Sequence, residues 1–186
     1  MHDVVAATLP AALGLDHSER LALIARALST HQLDRDRATE AALEISGLFD
    51  SPLVTANAEI LREARREVRL ISTLDDVAIQ GILDCRLTHA DGSMSVWDWK
   101  TNAVRDESDV DALQRVYHRQ MQTYAWLCLQ AYPACDSVTT RLVFTKAIAQ
   151  GFASFDRAIE WRRSQLADIE SDLRAALAEL RAGSNS

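Results

Sequence analysis

Apolar residues recur every three or four positions through the first third of the chain, which is the spacing of amphipathic helices. Two such stripes consist of Leu21, Ile24, Ala25 and Leu28, and of Ala41, Ile45, Leu48 and Phe49. Ser18 is a candidate N-cap for the first helix, and Ser51-Pro52 separates the second from another helix that runs to about Arg66. The pattern therefore predicts that residues 1–66 are helical.

From Glu67 onward the chain changes to short runs of β-branched and aromatic residues separated by turn residues, a pattern typical of strands. The Asp91-Gly92 pair between two apolar runs is the best hairpin signal in the chain. It predicts that Val77–Thr88 and Met94–Lys100 pair as antiparallel strands. Two further strands are predicted at Val138–Phe144 and, shorter, near Gly151–Phe155.

Two long helices complete the pattern. The first is predicted from about Ala112 to Ala131, after an acidic loop at Arg105–Asp111. The second closes the chain with an apolar stripe of Ile159, Leu166, Ile169, Leu173, Leu177 and Leu180. This order of elements predicts an α/β fold with a central mixed β-sheet flanked by helices, a helical N-terminal third and a long C-terminal helix. We expect one domain over residues 1–182, divided into a helical part (1–66), a sheet core (67–155) and a closing helix (156–182), with a polar tail at 183–186.

Composition and charge narrow the class of protein. The chain has 186 residues, of which 48% are hydrophobic and 25% charged, as in one globular domain with a substantial core. No apolar run approaches the roughly 18 residues that span a bilayer, and no secretion signal is recognised, so we expect a cytoplasmic, nucleoid-associated protein without a membrane partner. Three cysteines without a Cys-x-x-Cys pair argue against a disulfide framework, a zinc site or an iron-sulfur cluster.

The formal net charge of -7 argues against a broad basic surface for nucleic acid. Local basic clusters are present at Arg62, Arg65, Arg66 and Arg69, and at Arg157, Arg162 and Arg163. Each cluster is either a nucleic-acid contact or a solvated helix face, and the sequence leaves both interpretations open.

Two acidic residues lie where an apolar strand should exclude them. Asp84 ends an apolar run, and Asp98 lies between two tryptophans. Burial of a carboxylate costs several kcal/mol unless the group is paired or bound to a cation. Asp98 and Lys100 share one face of a strand, and pairing about the predicted turn brings Asp84 close to register with Asp98. Carboxylates beside an ammonium suit Mg²⁺ or Mn²⁺ and phosphodiester hydrolysis, whereas the alternative is a salt bridge at the end of a strand.

Three short motifs occur in series along this part of the chain. They are Gly81-Ile82-Leu83-Asp84 (G-x-x-D), Asp98-Trp99-Lys100-Thr101-Asn102 (D-x-K-T-N) and Tyr117 to Tyr124 (Y-x-x-Q-x-x-x-Y). The series resembles the RecB-like branch of the PD-(D/E)XK nucleases, in particular the nuclease domain at the C-terminal end of AddA-type and UvrD-like helicase-nucleases. The resemblance covers nearly the whole chain and includes Arg66-Glu67-Val68 at the start of the first strand.

The resemblance implies a restriction-endonuclease-like core and a metal-dependent DNA nuclease. Asp84 and Asp98 would bind Mg²⁺, for which Mn²⁺ can substitute, together with the backbone carbonyl of Trp99. Lys100 would position the attacking water or stabilise the phosphate. The implied substrate is DNA, mainly single-stranded, and the implied partner is a superfamily 1 helicase motor in the same longer protein or in a separate subunit, acting in double-strand-break repair or recombination.

Four further residues have roles that the resemblance implies or leaves open. Gln120 and Tyr124, one helical turn apart, would lie over the site, although Tyr124 also suits a packed core. His2 matches only the end of the family's G-x-x-x-H pattern, and it is either a metal ligand or a frayed terminal residue. Glu67 is either an acid that supports the metal ligands or part of an exposed ion pair.

Two other classes of function stay open. An inactive relative would serve as a DNA-guiding or protein-docking module, and a stand-alone restriction-like nuclease would use the same chemistry on a different substrate. Cleavage polarity, endonuclease or exonuclease action and the number of metal ions do not follow from the sequence.

Overall fold

The computed structural model describes residues 2–31, 33–151 and 155–183, without the side chains of residues 2, 3 and 6. The helices are α1 (His2–Ala12), α2 (His17–Leu28), α3 (Arg35–Asp50), α4 (Pro52–Ala56), α5 (Ala58–Arg62), α6 (Glu107–Ala131), α7 (Thr145–Ala149) and α8 (Leu166–Gly183). The strands are β1 (Arg65–Leu74), β2 (Val77–Thr88), β3 (Met94–Lys100), β4 (Ser137–Phe144) and β5 (Asp156–Arg162). Single 3-10 turns at Ser29–His31 and Arg163–Gln165 precede α3 and α8.

The strands form one mixed sheet in the order β1-β2-β3-β4-β5. Neighbouring strands are antiparallel except β3 and β4, which are parallel and are joined by α6, because a parallel pair requires a crossover connection. Helices α6 and α8 pack on one face of the sheet, and residues of α1 to α5 pack on the other. The predicted α/β class, with a mixed sheet flanked by helices, a helical N-terminal third and a long C-terminal helix, is confirmed.

The central strand β3 is buried along its whole length, since both faces of the sheet are covered there. Val96 lies in the core under α6, whereas Trp97 and Trp99 lie in the core under the N-terminal helices. The two tryptophan rings meet edge to face with centroids 5.7 Å apart. Side chains therefore alternate regularly along β3, and Asp98 and Lys100 point toward α6.

The predicted hairpin is confirmed: β2 and β3 pair antiparallel from Thr88 with Met94 to Cys85 with Trp97. The helix expected up to about Arg66 is instead the two short helices α4 and α5, which end before β1 begins at Arg65. None of the described helices has the length and apolar composition that a membrane crossing requires.

Two helix starts differ from the prediction because an aspartate caps each of them. Asp16 rather than Ser18 caps α2: its side chain accepts from the Glu19 amide at 2.9 Å, and the Glu19 carboxylate accepts from the Asp16 amide at 3.1 Å. Asp106 caps α6, so most of the predicted acidic loop is the first helical turn, where negative charge favours the N-terminal end of the helix dipole.

The last strand also differs from the prediction. The sequence pattern predicts a strand near Gly151–Phe155 and a closing helix from 156, but β5 runs from Asp156 to Arg162 and α8 begins only at Leu166. Residues 152–154 lie outside the described residues. Ile159 pairs with Thr140 of β4. Ile159 and Trp161 alternate with polar residues, which is the period of a strand. The predicted helical stripe included Ile159 but not Trp161, so this alternation was missed.

Candidate active site

The hairpin of β1 and β2 is kinked where Glu67 and Asp84 face each other. Leu83 packs in the core under α6, but Cys85, two residues later, packs in the core on the opposite face. In a regular strand these residues would share a face. The ladder pairs Val68 with Leu83 and Arg66 with Cys85 but skips Glu67 and Asp84, and Glu67 has a left-handed φ of 49°. Both strands thus change face together at Asp84.

Because of the kink, the Asp84 side chain contacts the neighbouring strand β3. Regular pairing of β2 with β3 stops at Cys85 and Trp97, one position before Asp84 and Asp98 would pair. The Asp84 carboxylate takes the place of the missing backbone acceptor, because its Oδ2 accepts from the Trp99 amide at 3.0 Å. The half-buried Asp84 carboxylate therefore lies against the β3 segment that carries Asp98 and Lys100.

Lys100 and Asp98 form a buried ion pair that extends to α6. The Lys100 Nζ lies 2.5 Å from the Asp98 Oδ2, and the two residues are 7% and 2% exposed. Lys100 also donates to the Gln120 Oε1 at 3.0 Å, and the Gln120 Nε2 donates to the Tyr124 hydroxyl at 2.8 Å. A buried charge needs such partners. The structure thus links Asp98, Lys100, Gln120 and Tyr124 through one ion pair and two hydrogen bonds.

Two residues outside the predicted site, Tyr117 and Asn102, belong to the same cluster. The Lys100 ammonium lies 4.1 Å from the centroid of the Tyr117 ring, a cation–π contact. The Tyr117 hydroxyl donates to the Asn102 Oδ1 at 3.0 Å, which fixes the ring. The signal was present in the sequence, because Tyr117 precedes Gln120 by one helical turn and Asn102 ends the D-x-K-T-N motif.

Burial and three acids keep the Tyr124 hydroxyl protonated. The pKa of Tyr124 is raised to about 12, chiefly by burial and next by the negative charge of Asp98, with smaller contributions from Asp84 and Glu67. The hydrogen bond from Gln120 opposes these effects only in part. Tyr124 therefore remains a neutral hydrogen-bonding group across the physiological pH range, and Glu67, although exposed, contributes to the electrostatic field of the site.

The glycine of the G-x-x-D motif makes room for Tyr124. A Cβ atom at Gly81 would lie 2.8 Å from the Leu127 Cδ1 and 3.0 Å from the Tyr124 Cε1. Normal carbon–carbon contacts are about 3.5–4.0 Å. Beside this contact an open groove of about 470 Å³ is lined by residues of β2 and α6, namely Gln80, Gly81, Ile82, Arg119, Gln120, Thr123 and Tyr124. Gln120 and Tyr124 therefore connect the buried ion pair to an open surface.

The described residues of this cluster include two with the oxygen donors that a divalent metal prefers. Asp84 and Asp98 offer hard carboxylate oxygens, which Mg²⁺ prefers. No group of three His, Cys, Asp or Glu residues that could hold a metal occurs among the described residues. His2 begins α1, but its side chain lies outside the described residues. The backbone amide of Trp99 contacts Asp84, whereas the role of the Trp99 carbonyl stays a prediction.

The cysteines are buried in the two cores of the protein. Cys85 is buried under the N-terminal helices, and Cys128 is buried under α6 on the opposite face of the sheet. Burial raises the pKa of both thiols to about 12. Each thiol is therefore protonated near neutral pH.

The second basic cluster is engaged within the protein. Arg157 pairs with Asp111 at 2.7 Å, and Arg162 pairs with Glu160 at 3.0 Å. Arg163 donates to three backbone carbonyls at and just beyond the C-terminal end of α6, those of Leu129, Tyr132 and Cys135, at 2.8–2.9 Å. These partners favour a structural role for the cluster over a nucleic-acid contact.

Comparison with known proteins agrees with the motifs and the fold. A family model described as the PD-(D/E)XK nuclease superfamily matches residues 1–186, the whole length of the chain. No curated protein matches the sequence. The acidic and basic residues of the G-x-x-D and D-x-K motifs meet on adjacent strands of a mixed sheet, and the family match extends across every element of that sheet. The chain therefore belongs to the PD-(D/E)XK nuclease superfamily.

Proposed function

We propose that this chain is a Mg²⁺-dependent deoxyribonuclease that hydrolyses phosphodiester bonds of single-stranded DNA. The observation that carries the proposal is the buried Asp98–Lys100 pair, linked through Gln120 to Tyr124 and flanked by Asp84. A buried pair of this kind adds little net stability compared with apolar residues of the same size. Its position beside an open groove is better explained by chemistry on a charged substrate.

Each residue has a proposed role in that chemistry. Asp84 and Asp98 would hold Mg²⁺, with the Trp99 carbonyl and His2 as further proposed ligands; when bound, the metal supplies Lewis acidity and lowers the pKa of a water molecule. Lys100 donates to a phosphate oxygen or to the attacking water, since its ammonium is held in place by Gln120 and the Tyr117 ring. Gln120 and the protonated Tyr124 hydroxyl position the strand at the groove.

The proposed partner is a superfamily 1 helicase motor that supplies the single strand during double-strand-break repair or recombination. The sequence contains no G-x-x-x-x-G-K-[ST] nucleotide-binding motif, so DNA unwinding requires another segment or subunit. The net charge of -7 supports this division of work. Few cations are available for counterion release, and we expect the isolated chain to bind DNA weakly at physiological salt.

Cleavage of a labelled single-stranded oligonucleotide with Mg²⁺ or Mn²⁺ tests the proposal. Asp98→Asn and Lys100→Met remove one charge each with little change in volume, and both should lower the cleavage rate at least about 100-fold. The matched control is Asp136→Asn, an exposed aspartate outside the site, which should cleave normally. Thermal unfolding should show that all the variants fold.

Two results would overturn the proposal. One is cleavage by the Asp98→Asn or Lys100→Met variant at the rate of the unmodified chain. The other is no cleavage by the unmodified chain together with no metal-induced rise in Tm, which would favour a DNA-guiding or protein-docking module.

A further inference from the structure

Two arginines lie side by side at the edge of the sheet, on the face that carries the candidate active site. Arg65 of β1 pairs with Arg86 of β2 in the antiparallel ladder. Like charges directly opposite each other on two strands are destabilising. Neither guanidinium has a hydrogen bond or an ion pair to a carboxylate among the residues that the structure describes. The two like charges are therefore not paired in contact with any carboxylate of the described chain.

The Arg86 guanidinium stacks on an aromatic ring, but none of its donors has an acceptor among the described residues. Its guanidinium carbon lies 4.5 Å from the centroid of the Tyr132 ring. Stacking on a ring fixes the plane of a guanidinium and leaves its N–H donors free to bind in that plane. Two of the nitrogens, Nε and Nη1, are buried and have no acceptor among the described residues. An unsatisfied buried donor costs about 1–3 kcal/mol, and more when it is charged.

A cavity of about 240 Å³ at this edge of the sheet is lined by Arg65, Arg86 and Thr88 of the strands and by Ile60 and Glu63 from the end of the N-terminal helical layer. Two guanidiniums and a hydroxyl can donate hydrogen bonds to the oxygens of one phosphate. Glu63 lines the cavity as well but forms no ion pair with a described residue, so its carboxylate leaves the guanidinium donors unengaged. Both the charge and the donor set of the cavity suit a phosphate group.

The cavity lies two residues along β2 from the candidate active site. Arg86 is two residues beyond Asp84, which is about 6.6 Å at roughly 3.3 Å per residue of strand. Arg86 shares the α6 face with Asp98, because its ladder partner Val96 packs in the core under α6. A strand with one phosphate at the carboxylates would therefore bring a neighbouring phosphate close to the arginine pair.

We propose that Arg65 and Arg86 bind a backbone phosphate of the substrate strand next to the phosphate that is cut. The proposal rests on the proposed function, since it places the strand relative to Asp84 and Asp98. It adds a phosphate-binding site and a path for the strand over β2 toward the β1 edge. These arginines hold the strand and take no part in the bond cleavage itself.

The salt dependence of single-strand binding tests this site. Affinity for a fluorescent oligothymidylate is measured by anisotropy without divalent metal, from about 20 to 200 mM salt. Each phosphate contact on a single strand contributes about 0.7 to the slope of log K against log salt. The double variant Arg65→Gln/Arg86→Gln should bind more weakly and lose about 0.7 of that slope. Its affinity gap to the unmodified chain should therefore shrink about fivefold over the tenfold salt range.

Matched variants separate this site from a general charge effect. Arg26→Gln removes one exposed charge from α2 and should leave the slope unchanged. Glu63→Gln removes the negative charge that lines the cavity and should tighten binding. The single variant Arg65→Gln changes only an exposed residue of the edge strand, so it should fold. It therefore tests the site even if substitution of Arg86 prevents folding. Arg65→Gln alone should lower both affinity and slope.

Several results would overturn this proposal while leaving the proposed nuclease intact. An unchanged slope in the Arg65→Gln/Arg86→Gln variant would exclude a strand phosphate at the cavity, as would weaker binding by Glu63→Gln. Thymidine monophosphate is the second probe: if its binding depends on the arginines while the oligonucleotide slope does not, the cavity takes a terminal phosphate instead. The nuclease proposal is judged separately, by the cleavage of Asp98→Asn and Lys100→Met.

Discussion

The close contact between Gly81 and Tyr124 makes the substitution Gly81→Ala a sharp test of how the site is built. Gly81 has no left-handed φ, so alanine fits the backbone of β2 and the effect is purely steric. The new methyl carbon would lie 2.8 Å from the Leu127 Cδ1 and 3.0 and 3.1 Å from two carbons of the Tyr124 ring. Since normal contacts are about 3.5–4.0 Å, both side chains must retreat by roughly 0.5–1 Å.

This retreat should lower both stability and activity. Overpacking of a well-packed core costs about 1–3 kcal/mol, which corresponds to a fall in Tm of roughly 2–12 °C for a chain of this size. The Tyr124 hydroxyl accepts a 2.8 Å hydrogen bond from Gln120, which in turn accepts from Lys100. A displaced ring would therefore loosen Lys100, and misplacement by about 1 Å can lower a rate about 100-fold.

Thermal unfolding and the single-strand cleavage assay measure the two effects. The matched control is Gly47→Ala in α3, where a Cβ atom would meet nothing within 4 Å. Alanine is favoured over glycine in a helix by about 0.5–1 kcal/mol, so this variant should be slightly more stable and equally active. The reasoning is refuted if Gly81→Ala keeps the Tm and the cleavage rate of the unmodified chain. A lower Tm with normal cleavage would refute only the link from Tyr124 to Lys100.

Two further predictions concern stability. Burial raises the pKa of Glu44, which is 4% exposed, above its ordinary value of 4.5. The folded protein should therefore lose stability as the pH rises from about 4.5 through the raised pKa. The neutral Glu44→Gln variant should be more stable than the unmodified chain only above about pH 4.5. Urea unfolding from pH 4 to 8 checks this, and a difference independent of pH would contradict it. Arg163→Ala removes three hydrogen bonds to backbone carbonyls and should cost about 2–4 kcal/mol, whereas Arg162→Ala, in an exposed pair with Glu160, should cost less than about 1 kcal/mol. Equal losses in urea unfolding of the two variants would refute the helix-capping role of Arg163.

Local patterns in the sequence predicted the β2–β3 hairpin and the two faces of β3. The Asp-Gly turn and the two apolar runs around it were enough to predict the antiparallel pairing of β2 and β3. Alternation along β3 placed Asp98 and Lys100 on one face, because a strand has a fixed period of two. Helix boundaries did not follow from local patterns, because Asp16 and Asp106 compete with other polar residues as caps. Only the folded backbone shows which side chain reaches the first free amides.

The kink at Glu67 and Asp84 was decided by tertiary structure. A regular strand would put Leu83 and Cys85 on one face, but they belong to cores on opposite sides of the sheet. No local pattern predicts this change of face, since both residues are apolar and both are buried. Packing of α6 on one side and of the N-terminal helices on the other forces the change, and it turns the Asp84 carboxylate toward the Trp99 amide.

What the sequence determined by itself was therefore the identity and the spacing of the reactive groups: two aspartates and a lysine on strands, and Gln120 and Tyr124 on one helix face. Only the tertiary structure decided which side chains meet, such as the Tyr117 ring with Lys100 and Arg65 with Arg86. The physical reason is the distance along the chain over which each effect acts. Strand and helix periods act over a few residues, whereas burial, cross-strand register and electrostatic fields depend on segments that meet only in the folded chain.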